Sequence, residues 1–265
     1  MSPDVDFSTV AETYERLLVP AMFAPLAQAV ADAVDAGPGD RVLDVACGTG
    51  ALTRVLAARA GASGEVVGAD VAEGMLAVAR SHDDGIRYVQ APADELPFED
   101  GRFTAVTCQQ GLQFTQDPVA ALREMARVLA AGGRIAVACW CDLEHDAGFH
   151  ALAESASEHL GEEAGRMLRV PFRMSDPAAL RGHFESAGMS DVVVEIERIA
   201  ARVAAPPERF AAAVMTAGPA AAVYGEAPDA AREAFAADVA LRLARYGDGG
   251  ATVFEMPSLL AVARV

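Results

Sequence analysis

Residues 42 to 50 read Val-Leu-Asp-Val-Ala-Cys-Gly-Thr-Gly, an apolar run that ends in a glycine-bracketed turn. Val42, Leu43 and Val45 are the residues of a central strand covered on both faces. Asp44 stands out, because a carboxylate in such a strand is costly unless a cation or hydrogen-bond donor meets it. Gly48 and Gly50 open backbone angles closed to other residues and let a ligand lie against the main chain. Residues 52 to 60 read as a helix, so the turn opens onto a helix N-terminus. This order of strand, glycine turn and helix commits the chain to an α/β fold.

A dinucleotide site has the same outline, but its fingerprint requires Gly-x-Gly-x-x-Gly. Here Gly48-Thr49-Gly50 is followed by Ala51, Leu52 and Thr53, with no third glycine, and Asp44 precedes the turn. A pyrophosphate is repelled by that carboxylate, whereas a ligand with a cationic amino acid end is attracted. A chance glycine turn in an unrelated α/β protein is the bland alternative. The nine positions closely resemble motif I of the class I S-adenosylmethionine-dependent methyltransferases, in the branch that includes ubiquinone and menaquinone biosynthesis. The resemblance implies contacts to S-adenosylmethionine from Asp44, Ala46, Cys47, Gly48, Thr49 and Gly50, with S-adenosylhomocysteine as product.

The following segments extend the pattern. Residues 65 to 70 form a second short strand ending in Asp70, about where one carboxylate accepts from both ribose hydroxyls; a helix N-cap is its simpler role. Val71 and Met75 come next, placed to pack on an adenine face, although Met75 alone also suits a core. After a third strand, residues 91 to 98 resemble the family's Gly-Asp-Ala-Glu-x-Leu-Pro-Phe segment, which borders the adenine. Pro92 replaces the family's aspartate there, leaving the Ala93 N–H and the Asp94 carboxylate as substitutes. A fourth strand over 103 to 109 ends at Gln109 and Gln110, whose loop is expected beside the methionine end and the substrate mouth. The stretch from Ala121 to Trp140 is similar to the family's helix, Gly-Gly turn and strand, a scaffold.

The resemblance is close over residues 40 to 142 and architectural elsewhere. It implies a Rossmann-like, doubly wound sheet of seven strands, mostly parallel with an antiparallel terminal strand, plus helical lid insertions. The expected plan is one methyltransferase domain over 1–265. Residues 1–36 form an N-terminal helical cover and 37–142 the cofactor core. Residues 143–176 and 206–250 are substrate or lid insertions, and 177–205 and 251–265 complete the sheet. Pro20 and Pro25 are expected to separate two N-terminal helices. The last strands are expected over 192–203 and 256–265.

Composition narrows the acceptor. The formal net charge of −17 opposes a nucleic-acid substrate. The sequence has no lysine, which removes Schiff-base chemistry and the phosphate-cradling P-loop, and no asparagine, which removes the Asn-Pro-Pro-Tyr site of amino-group methyltransferases. The four cysteines fall in or beside strands without Cys-x-x-Cys spacing, as small buried residues of a reducing compartment rather than metal ligands. No apolar run is of membrane-spanning length. A small-molecule acceptor, a cytoplasmic protein, no metal, no membrane and no nucleic acid are the expectations; a second copy of the chain is a candidate partner.

Methyl transfer is an in-line displacement for which positioning supplies much of the acceleration, so a base is required only if the acceptor must lose a proton. His145 and His150, just after the fifth strand, and Tyr14, on the N-terminal helix, are the candidates for substrate contact or proton transfer. Each has the plainer role of a loop or helix-surface residue. Tyr224, Arg169 and Arg173 are further candidate pocket residues, while His82, in a turn, and His183, in a helix, read as structural or solvated. A same-fold enzyme with a non-methylating reaction, an inactive scaffold and an NAD-dependent dehydrogenase are the alternatives. The complete set of Asp44, Gly48, Gly50 and Asp70 argues against the scaffold.

Overall fold

The computed structural model describes residues 7–218 and 220–265; Pro219, expected in a helix break, lies outside them. Strands β1 (Arg41–Val45), β2 (Glu65–Asp70), β3 (Arg87–Gln90), β4 (Phe103–Gln109), β5 (Leu129–Trp140), β6 (Ser190–Val203), β7 (Gly247–Asp248) and β8 (Ala251–Arg264) form one sheet. Its order is β3-β2-β1-β4-β5-β8-β6, with β7 beside β8. β1 pairs in parallel with β2 and β4, β2 with β3, and β4 with β5, whereas β8 runs antiparallel to β5. The order reverses between β1 and β4, and in such sheets ligands bind at the carboxyl ends of the strands at that crossover. The Rossmann-like plan, mostly parallel with an antiparallel terminal strand, is therefore present.

Helices α1 (Phe7–Thr13), α2 (Ala24–Ala33), α3 (Ala51–Ala60), α4 (Glu73–His82), α5 (Pro118–Val128), α6 (Ala147–Leu160), α7 (Glu162–Arg169), α8 (Pro177–Ser186), α9 (Pro207–Ala217), α10 (Ala221–Glu226) and α11 (Asp229–Arg242) complete the chain. Two compact units are distinguished. One comprises residues 26–141, 174–197 and 258–265, with β1 to β5, α3 to α5 and α8. Its core includes Leu43, Val45, Val67, Phe103, Val106, Leu122, Ile135, Val137 and Phe184, all buried. The other comprises residues 7–25, 142–173 and 198–257 and is mainly helical. In it Phe149 packs on Phe172 and Phe210, and Phe210 on Phe254, at centroid separations of 5.4–6.3 Å.

Several expectations are corrected. The two prolines do not break the N-terminal helix: residues Tyr14–Phe23 between α1 and α2 adopt a π-helical path with Pro20 inside it. The wider turn, in which the Ala24 N–H reaches Val19 O, accommodates a residue that has no N–H and crowds the preceding turn. Pro25 sits in the first turn of α2, where a donor is dispensable. His82 ends α4 rather than lying in a turn. The sheet has eight strands instead of seven, because Gly249 and Gly250, at φ +57° and +86°, make a two-residue hairpin turn that pairs β7 with an earlier start of β8.

Candidate functional site

The site is built at the carboxyl ends of β1, β2 and β4. Ala46 leaves β1 at φ +55°, followed by Gly48 at +56° and Gly50 at +85°. Left-handed backbone at a non-glycine residue is costly and clusters where function demands it. Gln110, just past β4, is a second such residue at φ +56°, and its N–H donates to Ala138 O at 2.8 Å. Gly111 lets these two strained turns touch: a Cβ there would lie 2.3 Å from Ala46 Cβ and 3.0 Å from Cys108 Sγ. A Cβ at Gly48 would meet nothing within 4 Å, so this face of the turn is open.

Asp70 closes the turn from β2. Its Oδ2 accepts from the Gly48 N–H at 2.8 Å and its Oδ1 from the Ala72 N–H at 2.8 Å. Each oxygen keeps a lone pair for a further donor. Burial raises its pKa, and the backbone donors offset part of that rise. Val71 beside it is an exposed apolar side chain, 67% accessible, and Met75 is half-buried on α4. The Ala91 N–H donates to Asp70 O, bringing the turn of Ala93 and Asp94 to the same edge. That loop is fastened by Arg127, which donates to Leu96 O and Phe98 O, and by Glu124, which accepts from the Leu96 N–H.

Asp44 does not offer a bare carboxylate. It is fully buried in β1, with Oδ2 accepting from Thr53 Oγ1 at 2.6 Å and Oδ1 from Thr107 Oγ1 at 2.9 Å. Burial pushes its pKa up to about 7, against the two threonine hydroxyls, and the nearby Asp70 adds to the rise. Its cost in the strand is met by hydroxyl donors rather than by a cation. The turn holds a buried Thr49 hydroxyl and the Tyr88 hydroxyl of β3 lies against Gly50, neither with a hydrogen-bond partner among the described residues. Cys47 stays a thiol, its pKa raised by burial and by Asp44 and Asp70.

The side chain of Gln110 is turned inward: its Nε2 donates to Ser258 Oγ at 3.2 Å, and its Oε1 accepts from Gln113 Nε2 at 3.1 Å. Sequence reasoning expected the whole loop from Gln109 to Phe114 at the substrate mouth but chose only Gln109 and Gln110 from it, leaving out Gln113, three residues on, and passing over Ser258, 148 residues from Gln110. A polar residue repeated three positions on, in the loop that follows a buried strand, was the available signal.

Tyr14, His145 and His150 belong to the other unit. Tyr14 begins the π-helical stretch and packs on Phe23 at 4.9 Å. His145 ends a 3₁₀ turn, and His150 lies in the first turn of α6. Between them is Asp146, which the sequence reading missed. It is buried and caps α6 by accepting from the Phe149 N–H, and burial pushes its pKa up to about 7. An acidic residue directly before a helical run was its signal. Arg169 pairs with Glu154, and Tyr224 packs on Phe235 and under Arg232. Glu158, His159 and Asp238 lie close enough to hold a metal, but Arg242 already pairs with both carboxylates.

Residues 43–137 match the family described as methyltransferase domain. Over 105 residues the chain is 50% identical to the ubiquinone/menaquinone biosynthesis C-methyltransferase UbiE of Idiomarina loihiensis, covering 37% of this chain and 42% of that protein. It is 39% identical over 137 residues to a 2-phytyl-1,4-naphthoquinone methyltransferase of Thermosynechococcus vestitus, covering 49% and 61%. The matches thus span less than two thirds of these relatives. In fold, it resembles phosphoethanolamine N-methyltransferase 2 of Haemonchus contortus in complex with S-adenosyl-L-methionine, with TM-score 0.60, 19% identity and coverage of 97% of this chain and 57% of that one. The YcgJ protein of Bacillus subtilis is similar at TM-score 0.56 and 19% identity, over 90% and 97%.

Proposed function

We infer that the methyltransferase domain of residues 43–137 makes this chain an S-adenosylmethionine-dependent methyltransferase acting on a small-molecule acceptor. The observation that carries this reading is the Asp70 carboxylate, fixed by the Gly48 and Ala72 N–H groups at the edge of an open glycine turn. Asp70 is assigned to the ribose hydroxyls, and Val71, Met75, Ala93 and Asp94 to the adenine. Ala46 to Gly50 present main chain to the amino acid end, and the carbonyls near Gln109 and Gln110 face the positive charge. Asp44 acts through Thr53 and Thr107, fastening the end of β1 beneath the turn rather than making a direct contact. When bound, S-adenosylmethionine supplies an electrophilic methyl group on a sulfonium. The residues hold the two reactants in line and exclude water, which suffices for a displacement of this kind.

The named relatives are a C-methyltransferase of ubiquinone/menaquinone biosynthesis and a 2-phytyl-1,4-naphthoquinone methyltransferase, which supports an aromatic acceptor of the quinone class for this chain. The charge of −17 supports a partner other than nucleic acid. The four free cysteines suit a reducing cytoplasm, and among the described residues no helix is long and apolar enough to cross a membrane.

Calorimetric titration tests the reading. S-adenosylmethionine and S-adenosylhomocysteine are expected to bind and NAD is not. Asp70→Ala is expected to weaken both sulfur ligands by roughly 1–3 kcal/mol, the loss of hydrogen bonds to a charged acceptor. Binding of NAD alone, or an Asp70→Ala protein of unchanged affinity and unchanged circular dichroism, would overturn the assignment.

A further inference from the structure

Gln113 is fully buried, at 0% exposure, yet its Oε1 has no hydrogen-bond partner among the described residues. Its Nε2 is spent on Gln110 Oε1, and Gln110 Nε2 on Ser258 Oγ, so two side chains of one loop and one of β8 form a buried relay that ends on an unmet acceptor. Leaving a buried amide oxygen unpaired is costly, and a ligand with a donor removes that cost. The relay is also rigidly seated. Gly111 presses its loop onto Ala46 at the end of β1, and the strained Gln110 is pinned to β5 through Ala138 O.

We propose that Gln113 accepts a hydrogen bond from the hydroxyl of an aromatic acceptor, with Gln110 and Ser258 as the positioning residues that aim its amide. The proposal rests on the methyltransferase reading and deepens it. Sheet order decides which reactant is met. The residues assigned to the adenosine lie on and after β1, β2 and β3, on one side of the crossover. Gln110 and Gln113 follow β4, and Ser258, opposite Trp140 of β5, lies on β8, on the other side. With the carbonyls near Gln109 and Gln110 assigned to the sulfonium end, an unmet acceptor further along the same loop is placed for the second reactant. A hydroxyl that donates to an amide oxygen gains electron density, which favours attack by the ring or the oxygen on the methyl carbon as its bond to sulfur breaks; the proton then shed by the ring carbon or the oxygen passes to solvent, since the amide only accepts a hydrogen bond. The orientation of the two amides sets the preference: turned over together they keep both hydrogen bonds, with Ser258 donating, and present Nε2 to a carbonyl instead.

The test uses the full chain saturated with S-adenosylhomocysteine and two probes, 2-naphthol and 2-methoxynaphthalene, titrated by fluorescence. The wild-type protein is expected to bind the naphthol about tenfold more tightly than the ether. Gln113→Leu is expected to erase that difference while leaving S-adenosylhomocysteine affinity within about twofold, by the same energetics. Ser258→Ala is expected to narrow the difference and Ser258→Thr to restore it, a rescue that a merely structural serine would not produce. Equal binding of the probes, binding of neither, or a preference for a ketone probe such as 2-acetylnaphthalene would overturn the proposal. So would a loss of S-adenosylhomocysteine affinity in Gln113→Leu, since the amide would then serve the cofactor. A wild-type chain that binds no S-adenosylhomocysteine would instead fail the methyltransferase reading itself.

Discussion

A carboxylate in a central strand is the residue on which the cofactor turn is built, and its protonation couples that turn to stability. Burial pushes the Asp44 carboxyl up to about 7 in the folded chain, from the ordinary carboxylate range near 3.8. Between those values the native state keeps a proton that the unfolded chain has lost, so stability falls as pH rises through that window. Asp44→Asn, which stays neutral throughout, is expected to gain on the wild type by on the order of 3 kcal/mol between pH 4 and pH 8. Urea denaturation at the two pH values checks this, and a constant difference would show that Asp44 ionises freely. Asp146, raised to about 7 by the same cause, supplies the slope that remains in the variant. The sequence exposed the oddity of Asp44 but not its remedy. Thr53 and Thr107 are 9 and 63 residues away, and two threonines in a helix and a strand carry no mark of facing one carboxylate. Gly48 was legible for the opposite reason, since a glycine bracket after a buried strand has few other uses. Its open Cβ position at φ +56° predicts that Gly48→Ala costs about 1 kcal/mol of stability and weakens S-adenosylhomocysteine binding by more. Denaturation and calorimetry on one sample separate the two effects.

At the scale of elements, parallel strands covered on both faces announced themselves as continuous apolar runs, and β1, β2 and β4 fell where those runs predicted. Proline was the poorer guide. Pro20 was read as a break because an α-helix has no room for it, whereas a π-helical stretch does. Local sequence does not declare that choice; it depends on what the wider turn packs against. Contacts between strands were equally hidden. Gly68 in β2 pairs with Tyr88 in β3, whose ring lies where a Gly68 Cβ would stand, 2.7 Å away, with Cys47 Sγ at 2.9 Å. The tyrosine runs beneath the glycine turn, and a Cβ at Gly50 would lie 2.6 Å from its hydroxyl. Gly68→Ala must therefore push Tyr88 and Cys47 aside, and a loss of about 1–3 kcal/mol is expected from overpacking. Paired with Tyr88→Leu, which vacates the space, the same alanine is expected to cost less. Additive losses in a double-mutant denaturation series would place the strain elsewhere.

The whole molecule adds a field that no single residue supplies. With 38 acidic and 21 basic residues, the chain carries a net charge of −17, and its ion pairs join partners that are mostly exposed and individually weak. S-adenosylmethionine bears one net positive charge at neutral pH, and S-adenosylhomocysteine, lacking the sulfonium, bears none. On the proposed function, the field therefore draws in the donor and not the product, a bias toward exchange after each turnover. Such a field reaches about 30 Å at 0.01 M salt and about 3 Å at 1 M. The ratio of the two affinities is expected to favour S-adenosylmethionine most at low ionic strength and to shrink as salt is added, through a slower association rate for the cation. Stopped-flow binding across that salt range reads both rates directly. If the two ligands respond to salt alike, the acidic surface acts on solubility alone and discrimination rests wholly on the groups around the sulfur. That result would return the burden to Ala46, Gln109, Gln110 and the Asp44 hydroxyl pair, where a charge reversal at a distant surface glutamate such as Glu195→Arg leaves the ratio unmoved.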